Sequence, residues 1–303
     1  MSTSTPTIIP CLWLDDQAEA AARFYVETFP GGRVVATSRY PETRDNPGGK
    51  PRGSVMTVEV EVAGFRLTLL DGGPQFTINP SISFFVHAAD PPEADQLFAR
   101  LEDGGQVLMP IGSYPWSERF GWVKDRYGVS WQVIVGPRGP AGATIAPCLM
   151  FSGAQAGNAT AAMEAYAATF PDSRVDTVAH YGPGEGPETY VKHARFVLAG
   201  HDLVAMDSHV EHGFGFDEGV SLQVMCADQA EIDRYWAALT DGGAPGPCGW
   251  LKDRFGVSWQ VVPTRLAAWM TSGDPAARDR AFTAMLGMQK LDLAALEAAF
   301  AGG

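Results

Sequence analysis

Apolar and polar positions along the chain follow two periods, 2 and 3.6, in an order that recurs. An apolar run at residues 8–14 predicts a strand. It leads into an amphipathic helix opened by Asp16, with Glu19 three positions on, the spacing of a capping box. Alternating runs at about 33–40, 54–62 and 65–70 predict three further strands. A strand at 81–87 then precedes a second helix, with Asp90 as N-cap, prolines in its first turn and Glu93 at the third position. Strands near 106–109, 120–124 and 130–135 close the segment, the last two joined by Asp125-Arg126-Tyr127-Gly128, a hairpin turn with glycine at positive φ. The segment thus reads as βαβββ written twice.

The whole series returns. Gly121-Trp122-Val123-Lys124-Asp125-Arg126-Tyr127-Gly128-Val129-Ser130-Trp131-Gln132-Val133 reappears as Gly249-Trp250-Leu251-Lys252-Asp253-Arg254-Phe255-Gly256-Val257-Ser258-Trp259-Gln260-Val261. Pro10-Cys11-Leu12 likewise matches Pro147-Cys148-Leu149, and Ser152 with Gln155 and Asp228 with Glu231 restate the helix starts. Agreement in the same order at both ends means a duplicated domain. The expected organisation is α+β: copies at 7–136 and 144–263, each a pair of βαβββ modules forming one curved mixed sheet around its own cleft, with a Gly/Pro-rich linker at 137–143. The remaining 264–303 read as a helical tail, with Asp274-Pro275 starting a helix that carries Phe282, Met285 and Leu286, and a second helix at about 291–300. The tail either packs on the domains or joins two copies as a homodimer; both readings stand.

This pattern resembles the vicinal oxygen chelate (VOC) superfamily. Over nearly the entire chain it is more closely similar to the glyoxalase-like family labelled 3-demethylubiquinone-9 3-methyltransferase. The residues that carry this are Pro10-Cys11-Leu12-Trp13-Leu14, Phe24-Tyr25, Ile82-Ser83-Phe84-Phe85-Val86, the motif from Cys248 to Gln260, and the ending at 285–299. The resemblance implies two tandem glyoxalase-like domains. In superfamily members that use a metal, His and Glu occupy matching points on the cleft faces. By resemblance those points fall here on Ile9, Thr68, Ser81 and Gln132 in one copy and on Ala146, Val204, Gly219 and Gln260 in the other. None is His, Asp, Glu or Cys, so no cofactor is expected, and a divalent metal is the alternative.

Composition narrows the partners. A net charge of -13 argues against nucleic acid, which needs clustered Lys and Arg. No apolar run approaches the roughly 20 residues that span a bilayer, and no leader-like segment opens the chain. Four scattered cysteines without a CxxC pair fit reduced thiols, hence a cytoplasmic location. A small-molecule ligand is the expected partner.

Strand alternation turns Leu12, Leu14, Ile82, Phe84, Val86, Trp131 and Val133 toward the helices and their neighbours toward the clefts. The candidate ligand-binding residues are therefore Cys11, Trp13, Thr68, Ser83, Phe85, Ser130, Gln132 and Gln260, with Trp116 on a loop that only the first copy has, as a lid or as packing on its own domain. Mostly apolar walls with a few hydrogen-bonding groups suit a flat or aromatic organic molecule, and the first copy, with Trp13, Phe85 and Thr68, is the better candidate. Catalytic residues do not stand out. His180, His193, His201, His209 and His212 read as loop residues, Gly182-Pro183-Gly184-Glu185-Gly186 as a loop between strands rather than an S-adenosylmethionine turn, and Cys11 and Cys148 as small apolar fillers. Three functions remain: a metal-free binding protein, a metal-dependent lyase, dioxygenase or thiol transferase, or a methyltransferase as the family label implies.

Overall fold

The structure is a computed structural model describing residues 5–302. The first copy supplies β1 (Thr7–Leu14), α1 (Ala18–Thr28), β2 (Arg33–Arg39), β3 (Val55–Val62), β4 (Phe65–Asp71), β5 (Ile82–Ala88), α2 (Pro91–Glu102), β6 (Gln106–Tyr114), β7 (Ser117–Lys124) and β8 (Ser130–Val135). The second supplies β9 (Ile145–Phe151), α3 (Ala159–Thr169), β10 (Arg174–His180), β11 (Val191–Leu198), β12 (His201–Asp207), β13 (Val220–Cys226), α4 (Gln229–Thr240), β14 (Ala244–Pro245), β15 (Trp250–Lys252) and β16 (Ser258–Pro263). The tail is α5 (Arg265–Met270), α6 (Pro275–Leu286) and α7 (Leu293–Ala301). Among the described residues no helix is long and apolar enough to cross a membrane.

The strands form two eight-stranded mixed sheets, ordered β14-β15-β16-β13-β1-β4-β3-β2 and β10-β11-β12-β9-β5-β8-β7-β6. The α+β class and the paired modules agree with the sequence reading; which modules pair does not. Each sheet takes one module from each copy, through antiparallel seams between β1 and β13 in the first sheet and between β5 and β9 in the second. Chain reach supplies the reason. A seven-residue linker spans about 25 Å at most, so the module after it lands beside the one before it. The last module then closes on the first. Asp202 on β12 fixes the linker by accepting hydrogen bonds from the amides of Ala141 and Ala143 at 2.8 and 2.9 Å.

Helices α1 to α4 lie between the sheets in one continuous apolar core that includes Leu12, Phe84, Trp131, Leu149, Leu222 and Trp259. The repeated turn motif locks this arrangement. Asp125 Oδ1 accepts from the amides of Tyr127 and Val129, while its Oδ2 accepts from the Tyr25 hydroxyl and the Trp131 indole, both at 2.8 Å. Since Tyr25 stands on the first sheet's helix and Trp131 on the second sheet, one carboxylate staples the two sheets together. Asp253 repeats this with Phe255, Val257, Tyr166 and Trp259. Burial pushes the Asp125 carboxyl up to about 6 against these four donors, and raises that of Asp253 as well. Gly128 and Gly256 take φ of 86° and 84°, as the turn requires.

Two predicted capping boxes hold, with Glu93 N and Glu231 N each 2.9 Å from the carboxylates of Asp90 and Asp228. Two do not. Asp16 adopts φ 58° and pairs with buried Lys50 at 3.0 Å, and α1 is capped instead from β4, whose Asp71 accepts from the amides of Gln17 and Ala18. Ser152 and Gln155 sit in a short 3-10 turn, and Asp207 of β12 accepts from the amides of Gly157 and Ala159 at the start of α3.

Candidate functional site

Because the modules are exchanged, the candidate residues divide between two cleft faces. Cys11, Trp13, Thr68 and Gln260 stand on the first sheet, and Ser83, Phe85, Ser130 and Gln132 on the second. The metal-like points divide the same way, Ile9, Thr68, Gly219 and Gln260 against Ser81, Gln132, Ala146 and Val204. Contrary to the sequence reading, neither face belongs to the first copy.

On the first sheet, register sets Cys11 beside both Thr68 and Ser221, and Gln223 beside Gln260. The side chains form a relay: Thr68 Oγ1 donates to Gln223 Oε1 (2.7 Å), Gln223 Nε2 to Gln260 Oε1 (3.2 Å), and Gln260 Nε2 to Ser221 Oγ (2.9 Å). Burial pushes the Cys11 thiol up to about 12, although Gln260 and Ser221 hydrogen-bond to it, so the sulfur stays protonated and is no nucleophile. The relay and the thiol beside it are thus neutral. The nearest charge, Glu59, is paired with Arg66 at 2.5 Å.

One cavity opens above this floor and a second adjoins it. One, of about 160 Å³, is lined by Cys11, Thr68, Gln223, Gln260 and Glu59 below and by Leu266, Met270 and Met285 of the tail above. The other, of about 490 Å³, is lined by Trp13, Tyr40, Phe76, Trp250 and Phe282, with Lys252 and Glu218, paired at 3.0 Å, at its margin. Met56, Leu70, Cys248 and Trp250 line both, so the two adjoin. Trp13 is fixed by its indole N–H donating to Gly73 O at 2.7 Å and meets Phe76 and Trp250 edge-on. The tail is held over the face by Phe282, Leu291 and Leu296 and by the amides of Cys248 and Gly249 donating to Met288 O and Gln289 O, both at 2.7 Å. It therefore packs on the domains, one of the two roles open to it.

The second sheet carries a shorter network on the same positions. Gln132 Nε2 donates to Ser83 Oγ at 2.8 Å, and burial pushes Cys148 to about 12. Phe85 and Val204 stand where the first sheet has Gln223 and Thr68, so the relay ends there. Phe85, Phe120, Cys148 and Val204, with Met109, Tyr114, Trp122, Ile134 and Met206, fill the face with their own side chains. Trp122 is tied to Ser130 Oγ at 2.6 Å, whereas the Oγ of Ser258, in the matching place, is buried without a partner and Trp250 turns to the cavities. Trp116 lies at the tip of the β6–β7 hairpin, 56% exposed and stacked on Tyr114.

Sequence reasoning missed Ser221 and Trp250, the repeat partners of Ser83 and Trp122, and set Gln223 on a cleft wall only as the second copy's counterpart of Phe85. It also misplaced two histidines: His193 lies inside β11 and reaches the edge of the Phe85 ring (5.9 Å), and His201 opens β12, whereas His180 is exposed at the end of β10 and His209 and His212 are in a loop.

Neither group implied by resemblance fits these residues. Among the described residues no three His, Cys, Asp or Glu converge to hold a metal ion, and the floor offers amides, hydroxyls and a protonated thiol. The glycines at 182–186 form an exposed turn between the antiparallel strands β10 and β11, not the strand-to-helix turn that suits a nucleotide.

Two mixed sheets built from four βαβββ modules define the VOC, or glyoxalase, class of fold. The chain belongs to the 3-demethylubiquinone-9 3-methyltransferase family, whose model matches residues 6–134 and 143–262. Glyoxalase I from Zea mays is 14% identical over 86% of this chain and 93% of its own, with a TM-score of 0.54, a likeness of fold. A PhnB protein from Bacillus cereus that carries the same methyltransferase label is 33% identical over 45% of this chain and 100% of its own, with a TM-score of 0.38. No curated protein matches the chain.

Proposed function

We propose that the chain binds an uncharged organic molecule with a flat or aromatic body on the first sheet, without a metal. The observation that carries this reading is the neutral relay Thr68–Gln223–Gln260–Ser221, three of whose side chains line the smaller of two adjoining cavities, while the larger, beside it, falls within the roughly 300–1,000 Å³ usual for small-molecule sites. Hydroxyl and amide groups of the relay would orient the polar end of the ligand. Trp13, Phe76 and Trp250 would take its ring edge-on or stacked, each such contact contributing about 1 kcal/mol beyond area burial. A charged ligand would lose its hydration there without gaining a counter-ion, since Glu59 and Arg66 already satisfy each other.

The direct experiment is calorimetry with 2-naphthol, an uncharged ring bearing one hydroxyl, on protein purified without a histidine tag. Saturable binding that Gln260→Leu weakens about tenfold, and that a chelator leaves unchanged, is the expected result. Stoichiometric, chelator-resistant metal in the purified protein would replace this reading with the metal-dependent enzyme.

A further inference from the structure

The cleft face of the second sheet carries charges that are reversed from the first. Register equates Glu59 on β3 with Arg195 on β11, and Arg66 on β4 with Asp202 on β12. In the first sheet Glu59 and Arg66 pair at 2.5 Å. In the second the carboxylate is taken: both oxygens of Asp202 hold the linker amides of Ala141 and Ala143. Arg195 is left half-buried and, among the described residues, without an ion pair or hydrogen bond. His193, two residues earlier on the same face, crosses the cleft to Phe85 at 5.9 Å. Two residues beyond Phe85 is His87, 9% exposed, whose Nδ1 has no hydrogen-bond partner.

A half-buried guanidinium without a protein partner keeps its N–H groups open to a guest, and its five N–H groups in a planar fork match a carboxylate or phosphate. The imidazoles suit the same guest. Burial, then the charge of Arg195, lowers His193 to about 4; burial, Arg195 and Arg138 lower His87, with a backbone hydrogen bond to Gly136 and the charge of Asp202 acting against them. Near neutral pH both rings are uncharged, and His193 can donate one N–H without bringing a further charge.

We propose that Arg195, His193 and His87 form a binding site for a small oxyanion, with Phe85 facing any apolar body the anion carries. Arg195 takes two oxygens of the anion, His193 donates to what remains, and the uncharged ring of His87 lines the site. The site is separate from the first sheet's cavities and selects the opposite kind of ligand. Burial is the main cause that lowers His193, and an anion there offsets the Arg195 charge that lowers it further, so binding raises the pKa of that imidazole and takes up protons.

Histidine-detected NMR with inorganic phosphate and, separately, with benzoate tests this. Saturable binding of one or both, with His193 titrating at least about one unit higher in the bound protein, is expected. Arg195→Gln should weaken binding at least about tenfold, Arg195→Lys should keep part of it because the charge remains without the fork, and Arg33→Gln, at an exposed ion pair, should leave it unchanged. Tighter benzoate identifies an organic carboxylate as the guest and tighter phosphate a phosphate, and either upholds the site. Failure of both anions to bind at tens of millimolar overturns it. So does equal affinity in wild type and Arg195→Gln, which marks an adventitious ion only.

Discussion

The two cleft faces start from nearly the same residues and are finished differently. Cys11, Ser221 and Gln260 on the first sheet have Cys148, Ser83 and Gln132 as partners on the second, in the same hydrogen-bonding order. On the first, Gln223 and Thr68 extend the polar floor and the tail roofs it, leaving cavities. On the second, Phe85 and Val204 end the floor, aromatic side chains occupy the space, and Arg195 replaces Glu59. Duplication thus kept the backbone register while contacts from outside each sheet, tail or hairpin, decided how each face was finished.

The largest effect should come from loosening the roof. Leu291 is fully buried where the tail meets Val262, and Leu291→Ala should cost about 2–5 kcal/mol in urea unfolding and weaken 2-naphthol binding with it. Unchanged stability would mean the tail does not belong to the first sheet's core. Next, the staples serve both sheets alike. Asp125→Asn and Asp253→Asn should each cost about 1–3 kcal/mol, because Tyr and Trp donors then face an amide nitrogen, and clearly unequal costs would break the equivalence of the two sheets.

His193 on the second sheet contributes a pH dependence, opposed in the same window by the raised carboxyl of Asp125. His193 is lowered from 6.5 to about 4, so between those values the unfolded chain binds more protons than the native one. Its contribution is complete above pH 6.5, falls as pH drops through that window and is gone below about 4, amounting to roughly 3 kcal/mol. Urea titrations across the window should show a shallower slope for His193→Gln than for wild type. Smallest of all, Trp116→Ala should change stability by no more than about 0.5 kcal/mol, since the side chain is 56% exposed at a hairpin tip.

How much was legible in the sequence differs by length scale. Period-2 alternation placed Cys11 and Gln132 opposite the helix-facing Leu12 and Trp131, and the Asp90 and Asp228 caps were readable because donor and acceptor lie three residues apart. The pairing of β1 with β13 was not, since nothing in alternation distinguishes a seam within a copy from one between copies; only the short linker hinted at it. The cap on α1 was misassigned to Asp16 because Asp71 acts from another strand, 53 residues from Ala18. His193 was taken for a loop residue even though Val191, Ala194 and Phe196 around it already point to the helix side. The roof over Gln260 depends on where the tail docks, a long-range contact with no local signature.

The central claim is that the first sheet, not the second, holds the uncharged ligand, and methionines report on it directly. Met56, Met225, Met270 and Met285 line the first sheet's cavity, whereas Met109 and Met206 pack against the second sheet's filled face. In a 13C-methyl-methionine NMR titration with 2-naphthol, the first four signals should shift and saturate together while those of Met109 and Met206 stay in place. Shifts confined to Met109 and Met206 would contradict the account.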